Sequence, residues 1–368
     1  MLREGLTWAL RGAMRQVGRV PPVRRGLHEL SVLTRGAGVA FLRCRRLVPD
    51  DILGRSHPDR VRGSATTPAE LESALTQARK NLRFVHLGEA LLALSSGMRL
   101  KEGLAVLTFD ESFATTASLA LPVMKKLGVP ATMFVTTGPL DVTGTTLWDS
   151  QVHAVVELLA PKPVMVGFVD RALATTTSKE RQDTVHRLLL SLTSLDEEEL
   201  TARLEELNAL VGGPPPVRGL DQMVTAAQLT AMANEPLWSI GAHGHAHLSL
   251  ATAGDDALHE ELHQPRQRLR ELCGSSFIDV VSYPFGKPPY VDDRVIKAAR
   301  AAGYRAGFTA RAGVARPGDH LFSLPRIAIN RHSTGIQAYE LAGTLNAVDE
   351  LVLVATGESQ RLDENPEG

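Results

Sequence analysis

From Gly38 onward, short apolar runs of β-forming residues alternate with longer amphipathic stretches of helical period. Parallel strands joined by crossover helices produce that alternation, so the class is α/β. Strands are predicted at Val39 to Leu42, Leu104 to Phe109, Thr132 to Thr136, Trp238 to Ala242, Asp279 to Tyr283, Ala306 to Thr309 and Arg326 to Ile329. Helices are predicted at 68–80, 114–127, 147–160, 179–192, 196–210, 225–234, 255–272, 291–302 and 334–345. From about 148 to 233 the helical patterns run consecutively, broken by Gly212-Gly213-Pro214-Pro215-Pro216, with hardly any strand signal. That block reads as a helical insertion between two strands, suited to act as a lid. The chain divides into a basic amphipathic segment at 1–37, a main domain at 38–345 and a polar tail at 346–368.

Charge and cysteine content narrow the function. Lys and Arg number 40 against 41 Asp and Glu, a formal net charge of -1, which argues against a dedicated nucleic-acid binder. Cys44 and Cys273 form no CxxC pair, so no disulfide framework or cysteine zinc site is encoded. A reducing, cytoplasmic location follows as an expectation, since no apolar run approaches the roughly 20 residues of a membrane span and no secretory signal is evident. The first fifty residues carry ten arginines against three acids. Their apolar positions recur at helical spacing, so residues 1–20 suit either peripheral contact with an anionic membrane or packing as a terminal helix.

Three constellations carry chemistry. The apolar run Leu104 to Phe109 ends in Asp110-Glu111, two carboxylates where a buried parallel strand delivers its C-terminal end. Adjacent carboxylates can divide roles, one holding a metal and the other accepting a proton from its water. After a second strand come His243, His245 and His247. His243 and His247 share a face in a helical turn, and all three share one if extended, so either geometry offers at least two imidazoles to a divalent ion. After a third strand, Ser282-Tyr283-Pro284-Phe285-Gly286 is a turn able to aim a backbone N–H at a developing oxyanion.

In this order the three elements resemble the polysaccharide deacetylase family, the NodB homology domain of carbohydrate esterase family four. The resemblance runs from about Gly38 to about His332 and includes Ala120 to Val135 and the Leu324-Pro325-Arg326-Ile327 strand. It implies a distorted (β/α) barrel. It also implies Asp110 as catalytic base, Glu111, His243 and His247 as ligands of a divalent metal, most readily zinc with cobalt or nickel as alternatives, and the Phe285 N–H as oxyanion donor. Arg326 would pair with Asp110. The implied reaction is hydrolysis of an acetamido group on a carbohydrate, releasing acetate.

Three departures from the family pattern stand out. Glu111 replaces the usual Asp, and Ser112 replaces Gly. The Tyr-His that ends the first strand in many relatives is absent from Phe41 to Arg46, which leaves His332 as the candidate proton donor. These departures keep two other readings open: a non-catalytic barrel that binds a glycan or partner, and an amidase acting on a non-sugar amide. Aromatic residues make up 5% of the chain, which favours a short or lipid-linked saccharide over a long polymer platform.

Overall fold

The computed structural model describes residues 37–52 and 65–329. Residues 1–36, the helix predicted at 334–345, the polar tail and His332 lie outside the described residues.

One curled sheet organises the domain. Its strands are β1 (Val39–Cys44), β4 (Arg83–Phe84), β5 (Leu104–Phe109), β6 (Ala131–Val135), β7 (Trp238–Ala242), β8 (Phe277–Ser282), β9 (Ala306–Phe308) and β10 (Ile327–Ala328). The spatial order is β10-β1-β5-β6-β7-β8-β9, with β4 paired to β5, and every pairing is parallel. The two ends meet where Phe308 bridges in parallel to Leu324, just before β10, so the sheet curls into a distorted (β/α) barrel. A separate pair, β2 (Arg46–Leu47) and β3 (Ala65–Thr66), lies beside it.

The strands read as unbroken apolar runs because both faces are covered. Every residue of β5, β6 and β7 is buried. Inside the barrel Phe41, Phe134 and Phe308 pack edge to face or tilted at 4.9–5.3 Å between ring centres. α2 (Leu87–Ser95) packs Leu87, Ala90 and Leu94 into the same interior cluster as those rings, while α1 (Pro68–Ala78), α3 (Ala114–Leu127), α7 (Ala226–Ala233), α8 (Asp255–Cys273) and α9 (Asp293–Ala301) pack on the other face of the sheet. Capping boxes start α1 at Thr67 with Glu70 and α7 at Thr225 with Gln228, satisfying amide groups that a helix leaves without internal partners. Cys44 and Cys273 are buried free thiols, and burial pushes Cys44 up to about 12, so it is inert.

The insertion between β6 and β7 contains α4 (Trp148–Leu158), α5 (Ser178–Leu192) and α6 (Glu197–Ala209). It has its own apolar cluster, in which Val152, Val156, Leu188, Leu192 and Leu207 are fully buried. That cluster reaches the barrel through Leu248, with Ala246 and Phe285 packed against it.

Five short elements depart from the expectations. Strands β2, β3 and β4 have two residues each, too few to show a period of two. Helix α2 begins at His86 with no side-chain cap and is apolar on most faces, so it lacks both a start signal and a clear stripe. The last strand shrinks from Arg326 to Ile329 to Ile327–Ala328, because Arg326 turns inward to a carboxylate. No helix among the described residues is long and apolar enough to cross a membrane.

Register decides what shares a level at the C-terminal mouth. Cys44 lies opposite Phe109, Val135 opposite Ala242, Ala242 opposite Val281 and Ser282 opposite Phe308. The residues just beyond these pairs, Arg45, Asp110 and His243, therefore emerge at one level around the rim beside Ser282.

Candidate active site

Each sequence element delivers its side chain through a strained turn. Among the described residues, the non-glycine positions with positive φ are Glu111 (65°), Ser112 (39°), His247 (59°) and Phe285 (61°), all at this mouth. Such conformations cost on the order of 1–3 kcal/mol each and persist only where surrounding bonds impose them. Here those bonds are visible. The Ser112 carbonyl accepts from Val224 N–H at 3.0 Å, and Ala114 N–H donates to the Gln222 carbonyl at 2.9 Å, tying the carboxylate turn to the returning end of the insertion. The Ser112 that replaces glycine thus sits in the left-handed region that glycine favours.

Asp110 is nearly solvent-free and meets Arg326 in a two-pronged pair, Nη1 to Oδ1 at 2.7 Å and Nη2 to Oδ2 at 3.0 Å. Ser282 Oγ donates to Oδ1 at 3.2 Å and accepts from Arg326 Nη2 at 2.9 Å, while Arg326 Nε donates to the Thr309 carbonyl at 2.9 Å. Burial alone would raise the Asp110 carboxyl, but the Arg326 guanidinium, helped by His243 and Arg43, holds it well below the ordinary carboxylate range. Asp110 is ionised and aimed.

Glu111, His243 and His247 are buried, with one ligating atom from each within 4.8 Å of the others. His243 Nδ1 lies 2.6 Å from the Ser282 carbonyl; a carbonyl only accepts, so Nδ1 carries the proton and Nε2 the lone pair. Burial pushes His243 down to about 3, with Asp110 pulling the other way, so the imidazole is neutral as a ligand must be. Among the described residues, Glu111 Oε2 and both ring nitrogens of His247 are buried without a hydrogen-bond partner. Unpartnered buried polar atoms on two of the three convergent side chains, with the His243 Nε2 lone pair beside them, fit a divalent cation in chemistry and charge.

His245 points elsewhere. Its Nδ1 is 3.0 Å from Thr137 Oγ1, and its carbonyl accepts from Gly138 N–H at 2.9 Å, pinning the loop to the strand β6 exit. Phe285 turns its ring to His247 at 5.0 Å, between Trp148 at 6.1 Å and Tyr290 at 5.4 Å. Its backbone N–H makes no hydrogen bond among the described residues and is available to an incoming oxygen.

Four participants escaped the sequence reading. Glu261 of α8 accepts from His245 N–H at 3.0 Å and Ala246 N–H at 2.6 Å, gripping the histidine loop from behind. Arg45 Nε donates to Glu111 Oε1 at 2.7 Å and its Nη2 to Asp149 Oδ2 at 2.8 Å, joining the Glu111 carboxylate to the first insertion helix. Arg43 Nη1 stands 3.7 Å from Asp110 Oδ2. Two arginines thus occupy the strand end where Tyr-His was missing. A signal existed: positions 43 and 45 alternate at the end of a strand and so share a face, with Cys44 turned away.

The polysaccharide deacetylase family profile matches residues 195–307, which hold both histidines and the Ser282–Gly286 turn. Over those residues the chain matches the polysaccharide deacetylase family. Enzymes of that family are hydrolases acting on carbon–nitrogen bonds other than peptide bonds. The structure of IcaB from Ammonifex degensii is similar at 19% identity over 84% of this chain and 99% of that one, TM-score 0.50. The Streptococcus pyogenes deacetylase PplD, in complex with acetate, aligns at 18% identity over 82% and 96%, TM-score 0.47. The deacetylase domain of BpsB from Bordetella bronchiseptica aligns at 16% over 80% and 96%, TM-score 0.49. At these identities the likeness is one of fold. No curated protein matches the chain.

Proposed function

We propose that this polysaccharide deacetylase domain hydrolyses an acetamido group of a sugar in a metal-dependent reaction, releasing acetate and leaving a free amine. The observation that carries the reading is the buried triad of Glu111, His243 and His247, with its orphaned acceptors, beside an Asp110 held ionised by Arg326. A divalent ion held there, zinc by its fondness for imidazole and carboxylate, supplies a Lewis acid that polarises the carbonyl and acidifies water.

The chain's own groups do the rest. Asp110 takes the proton from the attacking water, and Arg326 with Ser282 fixes the carboxylate so that no reorientation is needed. The Phe285 N–H donates to the oxygen on which negative charge develops. Phe285, stacked beside His247 and braced by Trp148 and Tyr290, offers an aromatic surface suited to the acetyl methyl or the apolar face of a sugar.

The test is metal content and acetate release measured on the same preparations. About one zinc, cobalt or nickel per chain is expected, lost in His243→Ala and retained in Asp110→Ala, with turnover lost in both by about 10²-fold or more. A wild-type protein that takes up no metal on reconstitution, or an Asp110→Ala protein that still turns over, would sink the reading. The first result would favour a barrel that only binds glycan, in which the Arg45 bond to Glu111 stands in for the cation.

A further inference from the structure

We propose that Arg43 receives an anionic group, carboxylate or phosphate, carried on the same sugar as the acetamido group, so that this site takes an acidic amino sugar rather than a neutral one. The inference rests on the deacetylase reading above.

Pairing separates Arg43 from its neighbours. Arg326 makes four hydrogen bonds, to Asp110, Ser282 and the Thr309 carbonyl, and Arg45 is committed to Glu111 and Asp149. Arg43 exposes 26% of its side chain, and its ion pair among the described residues is the 3.7 Å approach to Asp110, beyond hydrogen-bond range. A guanidinium carries five donors in a fixed fork. One that is partly exposed beside the proposed base, with no acceptor in hydrogen-bond range among the described residues, is matched by an incoming carboxylate or phosphate, which takes two of those donors at once.

Charge points the same way. Arg43, Arg45 and Arg326 face Asp110, Glu111 and Asp149, a formally neutral set to which a divalent cation adds two positive charges. Asp110 brings one negative charge to two guanidinium groups, Arg326 in direct hydrogen bond and Arg43 at 3.7 Å, so it does not offset both. A neutral sugar leaves that excess unanswered.

Position sets where the anion lies. Arg43 stands beside the oxygen of the proposed base, so a group it binds is close to the amide under attack. A carboxylate or phosphate on the same ring satisfies that reach, whereas one several sugars away does not.

The experiment uses the full chain loaded with zinc and three probes: N-acetylglucosamine 6-phosphate, N-acetylglucosaminuronic acid and neutral chitotetraose. Acetate release is followed for wild type, Arg43→Gln and Arg43→Lys, and probe binding to Asp110→Asn is followed by calorimetry with and without Arg43→Gln. The expected result is a kcat/KM about 10-fold or more higher for an anionic probe. Arg43→Gln should cut that ratio towards one through KM with zinc content kept, and Arg43→Lys should keep part of it. The probe showing the gain tells carboxylate from phosphate. Equal turnover of anionic and neutral probes, a ratio indifferent to Arg43→Gln, or no binding of either anionic probe overturns the inference. Release from chitotetraose alone does so while leaving the deacetylase reading intact. Anionic probes bound through Arg43 but never hydrolysed support the anion site and remove the deacetylase reading.

Discussion

Arg326 and Asp110, 216 positions apart in sequence, meet as a two-pronged pair from which solvent is almost excluded. Removing one member leaves a charge buried without its counterion, so Arg326→Met should cost about 3–5 kcal/mol in urea unfolding. The pH dependence follows from the sign. Asp110 titrates lower in the folded chain than in the unfolded one, so its contribution is present above the ordinary aspartate value of about 3.9 and is lost as pH falls through the depressed native one. The stability gap between wild type and Asp110→Asn should therefore be constant near neutrality and shrink below about pH 4. A gap that widens in acid would contradict the pairing.

Glu261 has the opposite sign. Burial raises its carboxyl to about 7, against the pull of the Ala246 and His245 N–H groups. The stability tied to its protonation is full below the ordinary glutamate value of about 4.3 and is lost as pH rises through about 7. Wild type should lose stability relative to Glu261→Gln across that interval. Thermal unfolding of both proteins over the interval checks this, and parallel curves would refute it.

Gly244 and Gly128 both have positive φ, but they differ in surroundings. A Cβ on Gly244 would lie 2.7 Å from Glu261 Oε2 and 3.3 Å from Pro284 Cγ, whereas one on Gly128 meets nothing within 4 Å. Gly128→Ala should cost only about 1 kcal/mol, the conformational part. Gly244→Ala should cost at least about 2 kcal/mol more and lower zinc occupancy, since it forces Glu261 off the histidine loop. Equal losses in the two variants would show that Glu261 does not clamp that loop.

Arg45 neutralises Glu111 in the chain without metal. Arg45→Met should therefore lose stability mainly in the apo form, by about 1–3 kcal/mol, and recover more of it on zinc addition than wild type does. Melting temperatures with and without zinc measure this. An identical zinc-induced rise in both proteins would mean that Arg45 and the ion do not share the Glu111 carboxylate.

Much of this architecture was legible because buried parallel strands write themselves as apolar runs, and the groups at their ends stand out against them. Asp110-Glu111 and the His243 to His247 cluster were visible for that reason. Glu261 was not, because on sequence it is one more acid in a polar helix, and its role appears only when α8 packs behind the histidine loop. Asp149 was hidden inside a helix that reads as insertion scaffolding. Arg43 and Arg45 looked like surplus charge in a basic N-terminal region until the β1–β5 register placed them beside the carboxylates.

The place of β1 between β5 and β10 has a consequence for synthesis on the ribosome. This strand, the first among the described residues, has one neighbour at Leu104–Phe109 and another from near residue 327. Until that late segment emerges, a nascent chain holds an open sheet edge along Val39–Cys44 and an Asp110 still lacking its arginine. Completion of the barrel and neutralisation of its buried carboxylate are therefore one event, so a chain stopped short of Arg326 presents both an adhesive edge and an uncompensated charge to the cell's quality control.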